Sequence, residues 1–101
     1  MDWADLDLMA TSFEGVRRRP GVPAQWRYRG RLVARQLDDE HVVIRCAFPT
    51  REDLVREHPD TFSVPGRFRR HMMVVADLRA GDPEAIEDAL AAAAHLQSHD
   101  G

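Results

Sequence analysis

The residues of this 101-residue chain whose type and spacing could do chemistry are its arginines. All fourteen basic residues are arginine, and lysine is absent. Seven of them, Arg17, Arg18, Arg19, Arg27, Arg29, Arg31 and Arg35, lie between Val16 and Leu37, a stretch without an acid. Three more, Arg67, Arg69 and Arg70, lie between Thr61 and Ala76, again without an acid. A guanidinium is planar, permanently charged and carries a fork of N–H donors that matches phosphate oxygens. Several on one face displace the counterions of a nucleic-acid backbone, so phosphate contact is the chemistry to expect. The net charge of −3 does not oppose this, because the acids gather elsewhere, in the first eight residues, at 38–40, and near 52–60 and 82–88. Local field, more than the sum of charges, decides what a surface attracts. A lysine-free, alanine-rich composition can follow from genome base composition, which explains the missing lysine but not the clustering.

Other reactive groups give less. Cys46 alternates with Val42, Ile44 and Phe48, the pattern of a buried inert thiol; a nucleophile would need a cationic or basic partner nearby. His95 and His99 are four apart, half of a metal site with no third ligand in the pattern, and His41, His58 and His71 sit at element ends. The adjacent acids Asp38 and Asp39 make a turn rather than an acid/base pair, and no glycine spacing fits a phosphate loop. Trp3, Trp26 and Tyr28 could stack on bases, but their periodicity assigns them to the core. No catalytic signature emerges, and neither metal nor cofactor is expected.

The elements that must position the arginines follow from periodicity. Trp3, Leu6, Met9, Ala10, Phe13 and Val16 recur at helical spacing, predicting a first helix over 3–18, with Arg17–Arg19 favouring its C-terminal dipole. Gln25 to Phe48 reads as a three-stranded meander, with turns at Gly30 and at Asp38-Asp39-Glu40. Its strands run to Tyr28, from Arg31 to Leu37, and from His41 to Phe48. Trp26 and Tyr28 point one way, Arg27 and Arg29 the other. Thr50 is the expected N-cap of a second helix ending before Pro59, with Asp53 where a capping-box acid would stand. Thr61–Val64 reads as a short fourth strand, 65–70 as a basic loop, and the apolar run Met72–Leu78 as a central fifth strand. Asp82 caps a last helix with Pro83 in its first turn and Ile86, Ala89, Leu90, Ala93 and Leu96 buried; residues 97–101 are expected to fray. Helices should cover one sheet face and leave the other, with apolar Val43, Met73 and Val75, open to a partner.

Several local strings in this order resemble the MmcQ/YjbR family of small bacterial proteins. They are Pro20-Gly21-Val22, Tyr28 to Arg35, His58 to Val64, Met73 to Leu78 and Asp82-Pro83-Glu84-Ala85, together spanning roughly residues 5–97. The resemblance implies a compact α+β unit similar to secretion-chaperone folds, and DNA binding through a double-wing motif. Family members often carry a tryptophan ahead of the fifth strand, where this chain has His71-Met72-Met73.

The reading is one α+β domain over 1–101, with a single antiparallel five-stranded sheet and three helices in the order α-β-β-β-α-β-β-α. Its candidate nucleic-acid residues are Arg27, Arg29, Arg31, Arg35, Arg67, Arg69 and Arg70. DNA is the expected partner; the alternative is a protein-interaction or self-associating module of chaperone-like fold. The acidic N-terminus lacks the features of a signal peptide, no apolar run is long enough to span a membrane, and a lone cysteine suits a reducing cytoplasm.

Overall fold

The computed structural model describes residues 1–99. Its elements are α1 (Trp3–Thr11), β1 (Val16–Arg19), β2 (Gln25–Tyr28), β3 (Arg31–Gln36), β4 (His41–Arg45), α2 (Phe48–Glu57), β5 (Phe62–Ser63), β6 (Met73–Asp77) and α3 (Pro83–His99). A short 3-10 turn, Gly66–Phe68, lies between β5 and β6. The six strands form one antiparallel sheet in the order β1-β2-β3-β4-β6-β5. The expected sheet of five strands is therefore corrected to six.

The extra strand comes out of the expected first helix. Asp2 and Asp5 build a reciprocal capping box at its start, but α1 ends at Thr11. Gly15 then turns the chain with φ +85°, a left-handed conformation that side chains with a Cβ rarely adopt. Val16 to Arg19 pair with β2 from Val16 opposite Tyr28 to Arg19 opposite Gln25. Val16 is buried in either period, so its spacing alone could not tell helix from strand.

Trp26, Ala34, Val42, Ile44, Phe62, Val74 and Ala76 form one core with Leu6 and Ala10 of α1, Leu54 of α2 and the apolar stripe of α3. All three helices therefore serve the same sheet face. Val43 and Val75, opposite each other on the second face, lie outside that core. They are nevertheless 0% and 2% exposed. In register they are flanked by Arg35, His41, Arg45 and Met73, long side chains whose stems can cover apolar neighbours while their heads stay in water. The second face thus sets charged and polar residues around two buried valines.

Smaller expectations shift too. Phe48 is 39% exposed at the start of α2 and does not continue the β4 core row. Ala47, without a side-chain cap, precedes that helix, so Thr50 is not its N-cap. Gln97 does not fray: it is buried, donating from Nε2 to the Leu32 carbonyl and accepting from Arg31 at its own carbonyl. Leu96 is only half-buried, with Ala85, Ala94 and Gln97 completing the α3 stripe. Residues 100–101 of the expected tail lie outside the described residues.

Two aspartates tie the turns at one end of the sheet. Asp38 Oδ1 accepts from the Glu40 and His41 backbone N–H groups at 2.9 Å and lies 2.8 Å from His41 Nδ1. Asp77 Oδ1 accepts from the Arg79 and Ala80 N–H groups at 2.9 and 3.0 Å. The backbone donor at Glu40 holds the Asp38 carboxyl below the usual aspartate range, and that at Ala80 does the same for Asp77. Carboxyls lowered on folding stabilise the fold above their unfolded value of about 3.9 and lose that contribution as pH falls through the lowered folded values. Stability should therefore decline below about pH 4. In Asp38→Asn/Asp77→Asn the acid limb of a urea-midpoint versus pH curve should be shallower; an unchanged limb would show that neither carboxyl contributes.

Candidate nucleic-acid interface

The strand register puts the basic loops at one end of the sheet and the acidic turns at the other. β2 ends at Tyr28 opposite Arg31, β4 ends at Arg45 opposite Met73, and Cys46 N–H donates to the Met72 carbonyl. The hairpin tip Arg29-Gly30 and the segment between β5 and β6 therefore share an end, although they hang from opposite sides of the sheet. Both hairpin-tip residues have positive φ, 47° and 84°, the two-residue turn whose twist matches antiparallel strands. Asp38, Asp39, Glu40, Asp77 and Asp82 cluster at the far end, where Trp3 Nε1 donates to the Asp39 carbonyl and the Met1 amine to the Leu78 carbonyl. The fold thereby separates its charges along the strands.

The second sheet face carries a row of arginines. Arg17 is opposite Arg27, and Arg19, Gln25, Arg35 and Val43 follow one another across β1 to β4. Arg45 completes the set beside Met73. Among the described residues, Arg56 and Arg79 are the arginines with an acid partner within 4.0 Å. Arg17 and Arg27 are thus like charges set directly opposite, an arrangement that costs stability unless an anion joins them.

Of the expected site residues, Arg27 and Arg35 lie on this face. Arg27 is braced, donating from Nε to Gln25 Oε1 at 2.9 Å and from Nη1 to the Gly30 carbonyl at 2.6 Å. Arg29 is exposed at the hairpin tip, its guanidinium carbon 5.6 Å from the Tyr28 ring centre. Arg31 departs from the others. A β-bulge shifts the register between Trp26 and Arg27, so that Val33 and Ala34 are consecutive and both buried. The shift turns Arg31 to the helix side with Tyr28, where it donates to the Gln97 carbonyl at 3.2 Å.

Arg67, Arg69 and Arg70 are exposed in the segment between β5 and β6. Arg51 of α2 organises that segment, donating to the carbonyls of Arg69 at 3.0 Å and His71 at 2.8 Å. Its guanidinium also sits 4.8 Å from the Phe48 ring centre. Sequence reasoning missed Arg17, Arg19 and Arg45. For the first two the available signal was Gly15, a helix-stopping residue placed ahead of them. Arg45 alternates with Val43 and was legible as outward-facing.

Cys46 and Trp26 are buried, as their spacing predicts. Burial pushes the Cys46 thiol up to about 11 despite nearby Arg51. His95 and His99 are exposed with rings 4.0 Å apart, and no cluster of three metal-ligating side chains occurs among the described residues. Trp26 is buried, and Tyr28 is half-buried against the core, so the open face offers no aromatic platform for bases. No described helix is long and apolar enough to cross a membrane.

The site and fold define an antiparallel α+β sheet with helices on one face and, on the other, arginines without an acid partner among the described residues. No protein-family model, curated protein or solved structure matches the chain.

Proposed function

We propose that this protein is a cytoplasmic DNA-binding module of the MmcQ/YjbR type, which grips duplex DNA through its arginine face and the two basic loops at the same end. The observation that carries the reading is the set Arg17, Arg19, Arg27, Arg35 and Arg45, on one face and without acid partners among the described residues. Binding is mainly to phosphates, because arginine heads on a flat sheet reach the backbone and no recognition helix is offered to a groove. The acidic far end orients the approach, since a charge-separated molecule meets a polyanion with its positive end first. Self-association through an apolar second face draws no support from Val43 and Val75, which are covered within the fold.

Fluorescence anisotropy of a labelled duplex tests this at about 50 and about 200 mM salt. Micromolar binding that weakens steeply with salt is expected. The triple variant Arg17→Gln/Arg27→Gln/Arg35→Gln should bind at least about tenfold more weakly, with a salt slope shallower by about 0.9 for each phosphate it no longer neutralises. Absence of binding at low salt, or a variant that binds as the parent does, would remove the nucleic-acid reading.

A further inference from the structure

Beside the arginine face, a cleft of about 640 Å³ runs between the exposed edge β1 and the β2–β3 hairpin. Its walls are Arg17, Arg18, Arg19, Arg27 and Arg29, together with Glu14, Gly15 and Gly30. We infer that this cleft is an oligophosphate site, seating two or three linked phosphate groups, either those of a free oligophosphate or consecutive ones of a nucleic-acid strand. The inference rests on the phosphate-binding reading above and narrows it to one cleft and one ligand class.

Charge sets the class. Five guanidinium groups against one carboxylate leave four net positive charges on the lining (5 − 1 = 4). A single phosphate ester, carrying about −1.5 to −2, would compensate at most half of that. Linked phosphates match it and can separate Arg17 from Arg27, the like charges that the register sets opposite each other. The cleft has the volume of an ordinary small-molecule site, about 300–1,000 Å³, but is walled by charged residues and glycines in place of the usual apolar ones. No aliphatic or aromatic residue stands in its walls, so the contacts it offers are guanidinium groups and the stems that carry them.

The hairpin tip is fixed by the Arg27 hydrogen bond to the Gly30 carbonyl, so the guanidinium groups of Arg27 and Arg29 are carried by a braced turn. Arg67, Arg69 and Arg70, on the opposite side of the sheet, line no part of this cleft.

The test is calorimetric titration of the full chain with inorganic triphosphate at low salt, repeated with adenosine triphosphate and followed by competition against a labelled duplex. One-to-one binding is expected, with adenosine triphosphate no tighter than triphosphate. Arg17→Gln/Arg19→Gln should weaken it at least about tenfold, as loss of charge-assisted hydrogen bonds does. The control Arg56→Gln/Arg79→Gln, exposed arginines paired with acids and outside the cleft, should change it by less than about twofold, since such distant charges are screened. Circular dichroism verifies that both variants remain folded. No triphosphate binding, or an equal loss in both variants, overturns the cleft. If the duplex binds and triphosphate does not, the cleft fails and the DNA reading stands. If triphosphate binds and the duplex does not, the DNA reading fails and a free oligophosphate is the ligand. Displacement of the duplex by triphosphate assigns the nucleic-acid phosphates to this seat.

Discussion

Replacement of Trp26 by alanine should remove a large part of the stability of the fold at 25 °C. Trp26 is 1% exposed in β2, and its Nε1–H donates to Asp7 Oδ1 of α1 at 2.8 Å. Its ring is parallel to that of Trp3, with centroids 6.2 Å apart. Truncating a buried aromatic to alanine costs about 3–5 kcal/mol. The bare Asp7 carboxylate adds about 1–3 kcal/mol where it stays shielded from water. Domains of this size hold about 5–15 kcal/mol in total, so the sum is a large part of the reserve. Urea unfolding followed by far-ultraviolet circular dichroism measures it. Trp26→Phe separates the terms: it keeps most of the packing and loses the donor, so it should cost clearly less than the alanine change. Equal costs for the two would place the whole effect in the hydrogen bond.

Gly15→Ala is expected to be the next most damaging change, although it adds one methyl group at an exposed turn. Two penalties coincide. The φ of +85° imposes a left-handed backbone, costing about 1–2 kcal/mol for a residue with a Cβ. The added Cβ would also overlap the Tyr28 ring, and overpacking of that kind costs about 1–3 kcal/mol. A double-mutant cycle with Tyr28→Ala resolves them, because removing the ring relieves the overlap but not the backbone strain. The Gly15→Ala penalty should fall by roughly half in the Tyr28→Ala background. A penalty unchanged by loss of the ring would assign the cost to the backbone alone. The same turn sets β1 beside the hairpin, so a displaced turn should also weaken phosphate binding.

Much of the frame was legible because it rests on local chemistry. The two-residue hairpin at Arg29-Gly30, the faces of Val42 and Ile44, the apolar central strand at Met73–Asp77 and Asp82 before Pro83 all follow from period and turn type. The missing parts are tertiary. Val16 to Arg19 become a strand because β2 offers an edge to pair with, a fact that no property of Arg-Arg-Arg announces. That one pairing moves Arg17 and Arg19 from a helix end into the candidate site. The helix-side direction of Arg31 was illegible for the complementary reason: strict alternation cannot foresee a bulge, and one extra residue at Val33 reverses the direction of everything before it. Arg35, beyond the bulge, keeps the face that alternation from its own strand predicts.

The arginine edge bears on how the molecule keeps its own company. An unpaired strand edge is a template on which another sheet can grow, and natural sheets blunt it with charge or brevity. This sheet uses both. β5 has two residues, and β1 sets three adjacent positive side chains along the other rim. Two copies approaching rim to rim repel each other while those charges are bare. Concentrated salt, or a polyanion too short to occupy every arginine, removes the repulsion without covering the backbone. Colloidal behaviour is thereby tied to the charge on this rim: the chain is best protected from ordered aggregation in dilute salt, where the arginines are bare, and less so where concentrated salt screens them.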